Sequence, residues 1–505
     1  FFGARAAFLL EASDNLSFIL TGDYMEDDSD SVYPANLAPL PTEPSSGSLY
    51  QLYSDTQQRN IGRTYGFGLT GTWEAGPALT IKSISGYRKT QQKYNLDLSD
   101  SITPIYELYT DNDSEQFTQE FNVSGTTDND KVEYTGGLYF FREDSTSYLG
   151  NEFNLRAGPN FAIIPTIFNE QYIQTDTTSY AIYGEITYNF TDRLSAFAGG
   201  RYTTEKKNFA TQYYTGRTPV GFNATGGTLA FTTTDVAALG IPTRLKFQQF
   251  TPRLGLNFDI SDDVHSYASW SRGFKSGGWL ARLVFPNPNE VSNFSPEIVN
   301  SYELGLKTQL FDNRVRANIA AFYTDFSNLF NTFTNVNGGF SGATTDAKIY
   351  GLELEGTWRI VPWLDAFGNF AVMDGKYVGD IPPGLAAILG KELQRLPHFQ
   401  GKVGLSANYP LDNDAGTMKA NLDYSFVGKH YTAISNAPIS ATKYDLVNAS
   451  VGWERADELF GITLSCRNCL NKSYFHSLLD FSGLGFAPAY PGEPRMYMAS
   501  IDVRF

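Results

Sequence analysis

The chain has 505 residues, of which 42% are hydrophobic, 15% are aromatic and only 18% are charged. Its formal net charge of −16 argues against a nucleic-acid partner, because phosphates require a basic surface. Two cysteines exclude a disulfide-stapled scaffold, four histidines leave little material for a multi-histidine metal centre, and the sequence has no run of about 18 apolar residues that would form a membrane-spanning helix.

Alternation of apolar and polar residues is the dominant pattern, and it first appears at 16–24, where every second residue is Leu, Phe, Gly or Tyr. The pattern returns around 302–310 and 418–426. Successive side chains of a strand point to opposite faces, so each segment has one apolar and one polar wall. A soluble sandwich and a membrane barrel both produce this alternation, so the connections between segments must separate the two.

The connections between about 19 such segments alternate strictly between short and long. The short ones carry Asp, Asn, Gly or Pro, which supply tight-turn geometry, and lie at 13–15, 74–77, 127–130, 191–193, 261–263, 312–314, 361–362, 412–416 and 456–458. The long ones lie near 27–60, 98–113, 147–175, 208–244, 276–296, 330–344, 376–395, 430–441 and 474–493. This sorting predicts an all-β, transmembrane antiparallel β-barrel with short periplasmic turns and long extracellular loops.

The end of the sequence carries an independent signal. Tyr497, Ala499, Ile501, Val503 and Phe505 share one face of the predicted last strand. This arrangement resembles the C-terminal signature of bacterial outer-membrane proteins that the barrel-assembly machinery reads. The alternative is an ordinary closing strand with a chance aromatic terminus.

Strand parity sets an expectation for the complete barrel. With about 19 strands, the first visible strand (4–11) runs in the same direction as the last. Bacterial single-chain barrels have even strand numbers, and three additional upstream strands would give the 22 of the plugged transporters. We therefore expect the chain to be a fragment or an incompletely traced protein.

Several stretches, taken in chain order, resemble the barrel of the TonB-dependent outer-membrane receptors. The clearest is the stretch at 250–256 with its continuation at 267–278. Other matching stretches, which extend the resemblance over nearly the whole chain, are 3–24, 294–297, 301–307, 315–326, 467–468 and 471–475.

The resemblance implies a 22-stranded barrel filled by an N-terminal plug. Ligand binds between plug and extracellular loops, and TonB pulls on a periplasmic segment using the inner-membrane proton gradient. Neither plug nor TonB box is visible in the sequence. We therefore expect residues 1–505 to form the barrel domain, with the plug and first strands missing.

Arg272, Lys275 and Trp279 are the candidate substrate-binding residues, because they lie where a strand enters a long loop. Trp279 stacks on a ligand in this interpretation, and the alternative is a rim aromatic at headgroup level. The intervening Gly-Phe-Lys-Ser stretch does not meet phosphate-loop spacing and lies in an all-β region, which disfavours nucleotide binding.

Other chemistry finds little support in the sequence. Cys466 and Cys469 form a C-x-x-C outside any redox fold, so a local disulfide or two free thiols is expected. The acidic stretch 412–416 lacks the Glu that a calcium loop requires and indicates a turn. The four histidines show no metal-ligand spacing; they are His265, His398, His430 and His476. The sequence also contains no recognisable set of catalytic residues. It therefore predicts no enzyme, no metal site and no cofactor.

The sequence therefore predicts a TonB-dependent receptor of a Gram-negative outer membrane that imports a scarce solute, with a ferric siderophore first and an oligosaccharide, cobalamin or other organic nutrient as the alternative. A passive porin-like channel or a structural surface barrel is the alternative of another class. The expected partners are outer-membrane lipids and lipopolysaccharide, the TonB complex, the barrel-assembly machinery and the small-molecule ligand, with no nucleic acid.

Overall fold

The computed structural model consists mainly of one large antiparallel sheet. It describes residues 1–31, 34–37, 49–50, 54, 58–76, 78–100, 106–127, 130–153, 156–157, 162–163, 167–220, 223–334, 340–379, 381, 383–386, 389–479 and 487–504. Structural statements below concern these residues.

Nineteen long strands, rich in β-branched and aromatic residues, cross the sheet within these ranges. They are β1 (Phe2–Ser13), β2 (Leu16–Ser29), β3 (Asn60–Gly76), β4 (Leu79–Asp97), β5 (Tyr106–Thr126), β6 (Val132–Phe153), β7 (Ile167–Thr191), β8 (Leu194–Thr215), β9 (Arg244–Ser261), β10 (Val264–Lys275), β11 (Glu297–Leu310), β12 (Val315–Thr334), β13 (Phe340–Val361), β14 (Leu364–Val378), β15 (Phe399–Pro410), β16 (Thr417–Tyr431), β17 (Ala441–Glu454), β18 (Phe460–Arg467) and β19 (Met496–Val503). The predicted strand number is confirmed.

The remaining elements are short and lie in the long loops. The short strands are Ala35–Asn36, Arg156–Ala157, Ala162–Ile163, Thr218–Val220, Asn223–Thr225, Thr228–Thr232, Gly278–Leu280, Ser292–Phe294, Phe475–Leu478 and Pro488–Pro491. The helices are α1 (Thr233–Ala238) and α2 (Pro383–Ala386), with single 3₁₀ turns at Pro288–Glu290 and Pro438–Ser440. No helix in the described part of the chain has the length and apolarity needed to cross a membrane.

Each long strand pairs antiparallel with its neighbours in sequence, from β1 with β2 through to β18 with β19. The two ends of this sheet meet through their loops. Ala35–Asn36, after β2, pairs with Pro488–Pro491, before β19, and the Tyr50 hydroxyl donates to the Gly492 carbonyl at 3.0 Å. The sheet is therefore curled so that its loops form one rim, as the barrel prediction requires.

The short turns form the opposite rim. Several contain Asn or Asp in the left-handed region, which these residues tolerate because their side chains bond the local backbone. Asn313 has φ 63°, Asn413 has φ 58° and Gly416 has φ 100°. The stretch 412–416 is thus the tight turn between β15 and β16.

One face of the sheet is apolar and open. Leu254, Leu304, Leu352 and Leu422 are 48–62% exposed, and cross-strand register keeps such residues on the same face from strand to strand. Exposed leucines at this density are unfavourable in water and appropriate against lipid. This face is called the outer face below, and the alternation predicted for 16–24, 302–310 and 418–426 is confirmed.

Aromatic residues border the apolar band on both edges. Toward the loops, Tyr302 lies opposite Tyr323 with ring centroids 6.2 Å apart, and Tyr323 lies opposite Tyr350. Toward the turns, Trp363 packs edge-on against Tyr409 at 5.4 Å. Such belts mark the two membrane interfaces of a barrel.

Candidate functional site

The loop between β10 and β11, residues 276–296, folds inward over the inner face of the barrel at its loop-bearing end. We call this loop the strap and the space beneath it the mouth. The side chains that hold the strap belong to three adjacent strands, β6, β7 and β8. They are buried, and all of them face the inside of the barrel by register.

Amide side chains bind the backbone of the strap. Gln171 Nε2 donates to the Ala281 carbonyl at 2.7 Å, and Gln171 Oε1 accepts from Leu283 N at 3.0 Å. Asn151 Nδ2 donates to the Leu283 carbonyl at 3.4 Å. Because these amides are buried, each lost hydrogen bond would leave an unsatisfied polar group. The hydrogen bonds therefore fix the position of the strap.

Two further bonds reach the Val284 carbonyl. Asn169 Nδ2 lies 3.3 Å away and the Tyr213 hydroxyl donates to the same oxygen at 2.8 Å. Both side chains are at most 1% exposed. The carbonyls of three strap residues thus each have a dedicated partner on the barrel wall.

An apolar cluster completes the anchoring of the strap. It brings strap side chains together with β8 and with α1, whose Val236 is fully buried. The helix begins with a capping box, in which Thr232 and Asp235 satisfy each other's backbone or side-chain groups. The members of the cluster are Phe209, Tyr213, Phe231, Val236, Ala281, Leu283 and Val291.

Arg282 of the strap lies near two further tyrosines. Its charge acts on both Tyr106, at the loop end of β5, and Tyr490, in the loop before β19. Burial raises the pKa of Tyr490 to about 12, Tyr94 adds to the shift and Arg282 opposes it. Burial likewise raises the pKa of Tyr106. Neutral phenols and one cation therefore line this part of the mouth at physiological pH.

A second anchoring cluster lies on the outer face, beyond the membrane band. Glu170 of β7 is fully buried and contacts the Arg217 guanidinium, while the Tyr172 hydroxyl donates to it at 2.8 Å. Burial raises the pKa of Glu170, and the Tyr172 hydrogen bond and the Arg217 charge act in the opposite direction. This cluster ties the loop after β8 to the barrel wall.

The inner wall below the mouth has a polar cavity of about 580 Å³ between β10 and β16. Several of its charged groups have a hydrogen-bond or ion-pair partner. Tyr267 donates to Glu303, Asn318 Nδ2 donates to Glu355 at 2.6 Å, and Lys402 lies 3.2 Å from Asp423 beside the cavity. The carboxylates Glu303, Glu353 and Glu355 and the cations Lys307 and Lys402 are among the lining groups.

The structure separates the three candidate binding residues. Arg272 shares its face with Trp270, opposite Tyr302, so its side chain lies on the outer face. Lys275 has the other parity and lies on the inner face, opposite Glu297. Register therefore does not bring Arg272 and Lys275 to one site.

Trp279 lies inside the strap. Its ring stacks on Phe209 at 5.2 Å and its indole Nε1 donates to the Pro242 carbonyl at 2.6 Å. One ring face and the polar edge are thus occupied by the protein, and the residue links the strap to the apolar cluster.

The other predicted positions are placed as follows. Cys466 and Cys469 are joined by a disulfide, with Cα atoms 5.6 Å apart, where β18 ends. Tyr497, Ala499, Ile501 and Val503 share the outer face of β19 by register, and Phe505 lies outside the described residues. In the described part of the chain, no group of three His, Cys, Asp or Glu side chains is arranged to hold a metal ion.

The sequence does not predict the amide row of Asn151, Asn169 and Gln171. Their parity places them on the polar face, which was a usable signal. Their partners lie more than 100 positions away, however, so no local pattern connects them to the strap.

The chain is similar to one protein family over most of its length. The family model described as "TonB dependent receptor-like, beta-barrel" matches residues 6–469. The pesticin receptor of Yersinia enterocolitica is 25% identical over 365 residues, which are 71% of this chain and 47% of that receptor. The chain thus spans about half the length of the curated relatives it matches.

Solved structures share the fold over the whole chain. The ferric yersiniabactin uptake receptor FyuA of Yersinia pestis superposes with a TM-score of 0.75 at 17% identity, covering 100% of this chain and 70% of that one. The ferric-catecholate import receptor Fiu of E. coli K12 gives 0.72 at 15% identity, covering 100% and 74%.

Proposed function

The chain belongs to the TonB dependent receptor-like β-barrel family, and we propose that it forms the barrel of a receptor that captures a ferric siderophore at the cell surface and imports it. As a family member it is an outer-membrane protein and not an enzyme. The proposed import is driven by TonB, which acts through a plug in the barrel. The plug, the TonB contact and the assignment of 1–505 as a single barrel domain remain predictions.

The anchoring of the strap is the main structural support for the proposal. This loop is held against the inner face by five hydrogen bonds to buried side chains, which gives the mouth a fixed shape. A mouth lined by fixed loops suits selective binding of one solute class. Names that include ferric pyoverdine, ferric yersiniabactin and ferric catecholate among the relatives and similar structures favour an iron-chelate ligand over an oligosaccharide or cobalamin.

Lys275 is the proposed ligand contact among the candidates from the sequence. It is exposed on the inner face next to Ser276, which donates to Glu205, and Glu205 in turn lies 3.3 Å from Lys207. A cation at this position suits the carboxylate or catecholate oxygens of an iron chelator. Trp279 supports the strap, and Arg272 is left out of the proposed site because it faces outward.

Uptake in cells tests the proposal. The full-length protein is expressed in a Gram-negative strain that lacks its own siderophore receptors, and radioactive iron is supplied on a panel of hydroxamate, catecholate and mixed siderophores. We expect one class to support uptake, and uptake to disappear when TonB is deleted. Uptake that survives TonB deletion would support the passive channel, and uptake of labelled maltodextrin or cobalamin instead of iron would support the organic-nutrient alternative.

A further inference from the structure

Three cations lie together on the outer face of β8 and β9 without an acidic partner. Lys206 is directly opposite Lys246, and Arg244 is opposite Asn208, one outward-facing position nearer the loops. All three cationic side chains are exposed, and none forms an ion pair with a described residue. We call Lys206, Arg244 and Lys246 the basic patch.

Register places the basic patch on the lipid-facing side. Lys206 has the parity of Tyr202, and Lys246 has the parity of Phe250, and these two aromatics are opposite one another and 43% and 57% exposed. Lys207, the next residue, points inward and is paired with Glu205 at 3.3 Å. The outward-facing cations of these two strands thus have no ion-pair partner, whereas the inward-facing Lys207 has one.

The height of the basic patch relative to the apolar band shows which layer of the membrane surrounds it. Lys206 lies four residues beyond Tyr202 toward the loops, about 13 Å along the strand and roughly 9 Å in height for a strand tilted by about 45°. Tyr202 and Phe250 belong to the aromatic border of the apolar band. The patch therefore lies in the headgroup layer of the outer leaflet, immediately above acyl chains.

Several other outward-facing cations toward the loops are neutralised by the protein itself. Arg63 pairs with Glu26 at 2.8 Å, and Lys89 and Lys93 pair with Asp113 and Asp111 at 3.4 and 2.7 Å. On β6, which β7 separates from the patch, Arg142 is likewise held by Asp144 at 3.2 Å.

Two directly opposed lysines repel each other unless an anion lies between them. Three neighbouring cations with no ion-pair partner among the described residues therefore favour an external anion at this position.

We infer that the basic patch binds the phosphate-bearing headgroup of an outer-leaflet glycolipid, with its acyl chains against Tyr202 and Phe250. Lysine and arginine are the usual phosphate ligands, and a cluster of them at a membrane surface attracts anionic headgroups. The patch is a convex surface rather than a pocket, so a free anion gains too little there to bind, whereas a lipid is already held by its chains. The inference depends on the outer-membrane location and not on the proposed siderophore.

A binding measurement with matched variants tests the inference. The full-length receptor, freed of lipid in detergent, is titrated with bis-phosphorylated lipid A and with dephosphorylated lipid A. The patch variant carries Lys206→Gln, Arg244→Gln and Lys246→Gln. The control variant removes three outward cations that are already paired, by Arg63→Gln, Lys89→Gln and Lys93→Gln. Retention of the heat-resistant barrel band on gels shows that each variant is folded.

We expect the patch variant to lose tenfold or more in lipid A affinity, the control to stay within about twofold of wild type, and the dephosphorylated lipid to bind all three proteins equally weakly. Inorganic phosphate at the lipid concentration is expected not to compete. Equal affinities of the two variants, or competition by inorganic phosphate alone, would overturn the inference. Because the assay contains no siderophore, either result is independent of the proposed import function.

Discussion

Leu283 donates its backbone N–H to the side-chain oxygen of Gln171 at 3.0 Å, across 112 positions of the chain. Gln171 also donates to the Ala281 carbonyl, so one buried amide satisfies two backbone groups of the strap. A polar side chain that folds a loop inward in this way fixes the shape of the mouth.

Gln171→Ala should release the strap without unfolding the barrel. The substitution leaves a buried N–H and a buried carbonyl unsatisfied, which costs about 1–3 kcal/mol each and is avoided if the strap opens. We expect faster hydrogen exchange of the 278–284 amides at an unchanged barrel melting temperature. The matched control is Gln248→Ala, an exposed glutamine on β9, which should leave exchange as in wild type. Unchanged exchange in Gln171→Ala would contradict the anchoring role.

Lys275→Ala should weaken ligand binding, whereas Arg272→Ala should not. The two residues are three positions apart on β10 but have opposite parity, so only Lys275 faces the mouth. Loss of one charge-assisted contact predicts a decrease in affinity of about tenfold. Equilibrium binding of the ferric ligand to both variants measures this. A larger loss in Arg272→Ala would show that the inner-face assignment of the site is wrong.

The alternation in the sequence also predicts the effect of charge on each face. Leu422→Lys places a charge on the outer face near the middle of the apolar band and should destabilise the barrel in lipid vesicles by about 2–4 kcal/mol. Asn421→Lys, its neighbour on the inner face, should change stability by less than about 1 kcal/mol. Urea unfolding in vesicles compares the two, and equal costs would contradict the assignment of faces.

Acid should loosen the helix beneath the strap. The backbone and hydroxyl of Thr232 hold the pKa of Asp235 below its ordinary value of 3.8. A carboxylate with a depressed folded-state pKa stabilises the fold above its unfolded pKa, and this contribution is lost as the pH falls through the folded value. Wild type should therefore protect the α1 amides better than Asp235→Asn at pH 5, and the difference should vanish well below pH 3. A difference that is the same at both pH values would contradict the capping role.

Strand number, connection order and face assignment follow from the sequence, because alternation and turn chemistry are local properties. The segment 418–426 gives its lipid-facing side chains directly. The outward position of Arg272 is also predictable, because Arg272 has the same parity along the strand as Trp270. The position of the strap could not be predicted from the sequence, because the contacts of Asn151 and Gln171 join strands to a loop more than 100 positions away. Trp279 shows the same limit, since its partners Phe209 and Pro242 are distant in sequence.

Direct binding to the purified full-length receptor is the measurement that tests the central claim. Quenching of intrinsic fluorescence, with the panel of ferric siderophores, their iron-free forms, cobalamin and maltodextrin, gives an affinity for each. We expect saturable binding of one ferric siderophore class, weakened by Lys275→Ala and by Gln171→Ala. Saturable binding of cobalamin or maltodextrin with no response to any ferric siderophore would contradict it.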